Sequence, residues 1–267
     1  MATTSLPKPS IFRSLAIQGR VIRALLLREV ITRYGRHNVG FLWLFFEPML
    51  FTLGVTALWT LLAMQHGKGI SVAAFAFTGY SSVLIWRNCV NRCNLAIQPN
   101  LALMYHRNVR VLDIFLARIV LEVAGATVSL VGLAAFFIFI GLAPLPVDPL
   151  EMCFGWMILI WYAVGLGTLI GALSERSEIV DRVWHIFTYL LFGLSGATFF
   201  VDWLPTKLQE MVLWLPMVNG VEILREGYFG MAFKFHYDLA YVCSFNLVLT
   251  LFGLALARET GRRVQPE

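Results

Sequence analysis

The chain alternates between long apolar stretches and short polar segments that are mostly basic. Six apolar stretches, 41–64, 70–86, 114–143, 152–173, 183–201 and 239–257, come close to or exceed the roughly 20 residues a helix needs to cross a bilayer core. The second is diluted by Thr78, Ser81 and Ser82, and the third is long enough to kink, tilt or continue past the membrane. The pattern predicts an all-α integral membrane protein with six transmembrane helices, 1–267 forming a single transmembrane domain. Composition agrees: 58% of the 267 residues are hydrophobic and 14% are charged, against about a quarter charged in soluble domains. Mean hydropathy is +0.73. The first 40 residues lack the apolar region and small-residue cleavage site of a secretory signal.

The polar segments set the orientation. Of the 21 Lys and Arg residues, only Lys68, Lys207, Arg225 and Lys234 fall on the second side of a six-span alternation. Basic residues accumulate on the cytoplasmic side of short loops, so both termini are expected in the cytoplasm. The net charge of +5 then reflects loops facing anionic headgroups, and no nucleic-acid motif accompanies it. Before the first span, residues 11–36 read as an interfacial helix. Ile11, Leu15, Ile22 and Leu26 share one face opposite Arg13 and Arg20, although Gln18 and Gly19 interrupt the pattern. Such a segment serves either as an anchor or as a lever and contact surface for a cytosolic subunit.

Three connections are longer or more apolar than a simple loop requires. Residues 87–113 carry Pro99, then the short apolar run 101–105, then His106, Arg107 and Arg110, a small helix suited to a groove on another protein. Residues 174–182 (SERSEIVDR) alternate acids and bases and form a second, smaller contact. On the opposite side, 202–238 holds Trp203, Trp214, Phe229, Phe233 and Phe235, with breaks at Pro205 and Pro216. Its runs 211–215 and 218–224 are too short to span and too apolar to be freely solvated. They read as a re-entrant pair of short helices or as an interfacial hairpin anchored by its tryptophans. Glu222, Arg225 and Glu226 are three and four residues apart there, so Glu222 pairs with Arg225 or faces Glu226.

Charges within the spans need partners. Glu47, beside Pro48, has no partner on its own helix within four residues and must be neutral, paired with another helix or hydrated. Arg118 and Glu122 are four apart, which favours a mutual ion pair. Gly165, Gly167 and Gly171 favour close helix packing. Cys89 and Cys93 share a helical face without a His or a second pair to complete a metal site, so they read as structural thiols. The sequence holds no phosphate-cradling Gly-x-x-x-x-Gly-Lys-Ser/Thr loop, no Ser–His–Asp set and no HExxH motif, so neither catalytic residues nor a metal site are expected.

Taken together, RYGRHNVGFLWLFFEPML at 33–50 and NLALMYHRNVRVLDIFLAR at 100–118 resemble the permease subunit of type-2 ABC exporters, and most of all the capsular polysaccharide export permeases. The resemblance covers nearly the whole chain. It implies a homodimer in the bacterial inner membrane with two copies of a separate ATPase that binds the ATP and Mg, this chain carrying no cofactor. It also implies a periplasmic or outer-membrane adaptor and a lipid-linked polysaccharide cargo. Leu101, Leu103, Met104, Tyr105, His106, Arg107 and Arg110 would match the coupling helix that docks into the ATPase, with Glu175, Glu178 and Asp181 as the second contact. Trp203, Trp214, Asn219, Glu222, Arg225 and Glu226 would belong to the outer gate. Trp43, Phe46, Glu47, Trp59, Tyr80 and Trp86 would line or border the channel, aromatic faces being suited to the C–H faces of sugars. Arg33, Arg36, Arg87 and Arg92 would meet anionic groups at the cytoplasmic mouth, or simply set topology. The rival readings are a related exporter for O-antigen, teichoic acid or a small drug, and, further off, a non-ABC membrane enzyme or channel.

Overall fold

A computed structural model of the chain describes residues 11–34, 38–61, 70–106 and 109–264. Ten helices occur among them: α1 (Ile11–Tyr34), α2 (Asn38–Leu61), α3 (Val72–Cys93), α4 (Leu101–His106), α5 (Val111–Phe139), α6 (Pro149–Ser174), α7 (Glu178–Leu194), α8 (Thr206–Leu213), α9 (Pro216–Phe229) and α10 (Leu239–Val264). No strand forms among the described residues.

Three of these, α5, α6 and α10, are long and apolar enough to cross a membrane, with mean hydropathy of 2.0, 1.9 and 2.0 in their most apolar windows. At 29, 26 and 26 residues each is roughly 40 Å long, more than a ~30 Å hydrocarbon core. The expected spans at 114–143, 152–173 and 239–257 fall on these three. The expected span at 41–64 falls on α2, which runs unbroken through Glu47 and Pro48; residues 62–69 lie outside the described residues. The stretch 70–86 is the first part of α3, which continues to Cys93. The stretch 183–201 overlaps α7, which starts at Glu178 and stops at Leu194; beyond it Gly196, at φ +80°, turns the backbone.

α3 is central, packed by α2, α5 and α6 and touched by α9. Two of its buried hydroxyls are satisfied within the helix, Thr78 donating to the Ala74 carbonyl at 2.7 Å and Ser82 to the Thr78 carbonyl at 2.6 Å, while Ser81 Oγ finds no partner among the described residues. α6 packs against α10, α9 and α3. Where α6 meets α9, a Cβ on Gly155 or Gly227 would collide with the backbone of Leu224 or Met152, so these glycines allow the close approach. Gly171 likewise lies against Cys93 of α3, whereas Gly167 has only ordinary contacts. α6 starts sharply: Pro149 occupies its first turn and Asp148 accepts the amides of Leu150 and Glu151 at 2.9 and 3.1 Å.

α1 packs on α5 with the later part of its expected apolar face, Ile22 and Leu26, turned inward. Leu25 is buried and Val21, Ile22 and Leu26 pack beside it, while Phe12 and Leu15 point outward. Gln18, the misfit on the expected apolar side, donates to Asp113 of α5 at 3.1 Å. The inner face is therefore a mixed one.

Candidate coupling and gating sites

The basic end of the bundle collects α1, α4, the α6–α7 connection and the tail of α10. α4 follows a 3-10 turn at Gln98–Asn100 that contains Pro99. Met104 is buried beneath it, Leu101 and Leu103 are half-buried, and Tyr105 is 62% exposed. Arg110 is also exposed; its N–H donates to Asp113 at 3.0 Å at the start of α5. The His106 side chain, Arg107 and Arg36 lie outside the described residues.

The two segments expected to contact a partner are joined to each other. Glu175 accepts the Ile97 N–H at 2.6 Å, Ser174 accepts that of Leu95 at 3.1 Å, and Asp181 accepts from the Asn94 side chain. Burial raises the Glu175 carboxyl above the usual carboxylate range, opposed by the Ile97 N–H and by Arg118. Glu175 and Asp181 thus brace the backbone that leads into α4. Glu178, by contrast, is exposed and makes only a long 3.6 Å pair with Arg182. Asn100, at the threshold of α4, is buried, donates to the Ala96 carbonyl at 2.8 Å and accepts from Arg28 of α1.

Beside α4 lies a cluster of charges shared by three helices. Arg33 of α1 pairs with Glu29 at 3.0 Å and with Glu122 of α5. Arg92 of α3 reaches Glu122 at 3.3 Å, and Arg118 of α5 reaches Glu29 at 3.2 Å while donating to the Arg92 carbonyl at 2.6 Å. The expected mutual pair of Arg118 with Glu122 is replaced by pairs to α1 and α3. The reason is burial: Glu122 is 6% exposed, and a carboxylate so enclosed needs donors from the helices that enclose it. Glu29 and Arg28 are not marked out by the sequence pattern as partners of this cluster. The one usable signal was Gln18, an amide on an apolar face that needs a partner.

The expected channel residues divide into two groups. Trp43, Phe46 and Glu47 lie on the exposed side of α2, and Glu47 has no hydrogen bond or ion pair among the described residues. Trp59 and the buried Tyr80 meet at 5.6 Å, with Phe51 and Phe192 each within 5.6 Å of Tyr80, an aromatic cluster that ties α2 to α3 and α7. Trp86 is fully buried, edge-on to Trp184 at 6.5 Å, so its ring belongs to the chain's own interior and not to an exposed wall. Arg87 lies over the Tyr189 ring at 5.5 Å, while Arg33 and Arg92 are engaged in the charge cluster.

At the far end α9 is wedged beneath the chain that follows α7. Arg225 is fully buried; its guanidinium donates to the carbonyls of Gly196, Phe199 and Ala197 at 2.6, 2.7 and 2.8 Å. The same group lies 4.2 and 4.8 Å from the ring centres of Phe75 and Phe200. Glu222, also fully buried, accepts the Val201 and His236 N–H groups at 3.3 and 3.2 Å. No Glu222–Arg225 ion pair forms within 4 Å; each carries out backbone capture on its own. Asn219 donates to Leu213 and Leu215 and accepts the Asp238 N–H at 2.8 Å. Of the residues expected at an outer gate, these three spend their polar groups on backbone contacts that hold α9 in place. Trp203 and Trp214 are exposed, and Glu226 is half-buried and hydrogen-bonded to Tyr237.

Comparison with known proteins adds an independent line. Residues 20–229 match the family model described as ABC-2 type transporter. The chain is 44% identical over 263 residues to the capsule polysaccharide export inner-membrane protein CtrC of Neisseria meningitidis serogroup B, covering 98% of this chain and 99% of that protein. It is 40% identical over 255 residues to the capsule polysaccharide export inner-membrane protein BexB of Haemophilus influenzae, 96% of each chain being covered. It is 26% identical over 248 residues to the polysialic acid transport protein KpsM of Escherichia coli, covering 91% of this chain and 94% of that protein.

Proposed function

The chain belongs to the ABC-2 type transporter family, and from that premise we propose that it is the inner-membrane permease of a capsular polysaccharide exporter. The observation that carries this reading is the end-to-end similarity to capsule export proteins, at 44% and 40% identity over nearly the full length of both chains. In it, α2, α3, α5, α6, α7 and α10 are the six spans of one domain, and α1 lies at the cytoplasmic interface with both termini on that side. α8 and α9 form a re-entrant pair on the periplasmic side.

The geometry of the basic end supports a mechanism in this reading. A separate ATPase, binding ATP and Mg, docks on α4 through the exposed Tyr105 and on the neighbouring Glu178. Its movement reaches the backbone before α4, which Glu175 and Asp181 tie to the α6–α7 connection. It reaches α1 through Arg28–Asn100 and the α5 span through the Arg33–Glu122 pair. A second copy of the chain covers the exposed face of α2, where Trp43, Phe46 and Glu47 then border the route of a lipid-linked glycan. A periplasmic or outer-membrane adaptor continues that route. The reading is tested by deleting the gene and complementing with the full chain, reading surface capsule by staining and intracellular polymer by extraction. Loss of surface capsule with polymer retained inside the cell supports it. Unchanged surface capsule contradicts it.

A further inference from the structure

A cavity of about 650 Å³ opens between α8, the start of α9 and the segment entering α10. Its size falls within the ~300–1,000 Å³ usual for small-molecule sites. Six of its lining residues carry recognition chemistry: Glu210, Trp214, Phe235, Tyr237, Asp238 and Tyr241. Trp214 is 74% exposed and stands edge-on to Tyr241 at 6.0 Å, its backbone fixed by the Tyr241 hydroxyl donating to the Trp214 carbonyl at 2.6 Å. The indole is thus presented on a braced backbone with a face open to the cavity side.

The polar wall divides into spent and free groups. Asn219 has its amide and carbonyl committed to Leu213, Leu215 and Asp238, and His236 is turned toward Asp202 at 3.2 Å. Asp238 uses Oδ1 on the Tyr241 N–H at 2.9 Å, and its Oδ2 has no partner among the described residues. The exposed Glu210 carboxylate has no partner among the described residues. What remains for a ligand is a set of aromatic faces and two carboxylates, with no lysine or arginine among the lining residues. Aromatic faces take the C–H faces of a pyranose, and carboxylates accept its hydroxyls. The same carboxylates repel a phosphate or an acidic sugar.

We propose that this cavity is a carbohydrate site for uncharged sugar residues, neutral hexose or N-acetylhexosamine, at the periplasmic mouth of the permease. Its location and link to export rest on the transport reading above; the sugar chemistry rests on the cavity alone. It would hold an emerging glycan by its neutral rings and leave acidic groups directed away from Glu210 and Asp238.

The test uses the full-length permease in lipid nanodiscs without ATP or a partner, titrated with triacetylchitotriose as the neutral probe and trigalacturonate as the acidic one. Calorimetry and tryptophan fluorescence read the binding. The expected result is saturable binding of the neutral trisaccharide, at least about tenfold tighter than the acidic one, a difference of ~1.4 kcal/mol. Trp214→Ala should weaken the neutral probe about tenfold, and Glu210→Gln, which removes charge from an exposed, unpartnered side chain, should narrow the preference severalfold. Absence of saturable neutral binding to the wild type, equal binding of the two probes, or unchanged binding by a monodisperse Trp214→Ala would each overturn the proposal. Binding without export would contradict the transport reading and leave the cavity assignment standing; export without binding would do the reverse.

Discussion

At the far end, Arg225 is gripped by the carbonyls of Gly196, Ala197 and Phe199, whereas at the basic end Arg33, Arg92, Arg118, Glu29 and Glu122 hold one another across α1, α3 and α5. Main-chain carbonyls stay where the local backbone holds them, so Arg225 can leave this grip only by giving up all three at once. Side-chain ions can change partners, because each glutamate here already serves two arginines and one rotamer change passes a partner on. The first arrangement suits a fixed wedge and the second a joint. In the proposed transport reading, motion enters at the basic end, which is the end built from exchangeable pairs.

The contrast is broken most severely at Arg225. Arg225→Met keeps much of the volume but strands several buried carbonyls at ~1–3 kcal/mol each, a total of about 4 kcal/mol or more, against a typical total stability of ~5–15 kcal/mol. The expected outcome is loss of monodisperse protein after detergent extraction, measured by size-exclusion chromatography. Recovery at the wild-type level would show that the carbonyl grip is not what holds α9. At the joint the expected effect is smaller and of a different kind. Glu122→Gln leaves Arg33 and Arg92 without their shared carboxylate and costs about 2 kcal/mol, so extraction should succeed while surface capsule falls severalfold. If yield collapses as it does for Arg225→Met, the two ends are equally structural and the contrast fails. Gln18→Ala removes one amide–carboxylate hydrogen bond between α1 and α5 and should cost about 1 kcal/mol, visible as a shift of a few degrees in thermal unfolding with capsule export largely kept. A change in export as large as that of Glu122→Gln would extend the joint along the whole of α1.

Much of the scaffold was legible in the sequence, and its limits are physical. The apolar runs behind α5, α6 and α10 are unambiguous because length and hydropathy agree. The stretch 183–201 runs past the end of α7 because residues 195–201 are as apolar as a span, yet they fold over Arg225 with Gly196 as the turn; apolar content alone does not tell a span from a buried loop. Arg118 and Glu122 have the spacing of a helical pair, but their partners lie on helices that are distant in sequence and close only after folding. Glu222 and Arg225 misled in the same way. Trp86 illustrates the limit for aromatics, since a tryptophan facing a channel and one facing Trp184 carry the same periodicity. The short helix at 101–106 was legible from Pro99 and the apolar run behind it. Its bracing by Glu175 and Asp181 was not, because an acid that captures a backbone or side-chain amide looks like any acid in a charged loop.

If α4 transmits an ATPase's movement, Tyr105 is the side chain to replace, being exposed and so changeable without disturbing the core. The measurement is capture of the cognate ATPase by the tagged Tyr105→Asp permease, alongside surface capsule in the same strain. The expected result is normal insertion and extraction of the variant, with ATPase capture and surface capsule both reduced about tenfold, ~1.4 kcal/mol of lost docking. Wild-type capture and export by a well-folded Tyr105→Asp permease would contradict it.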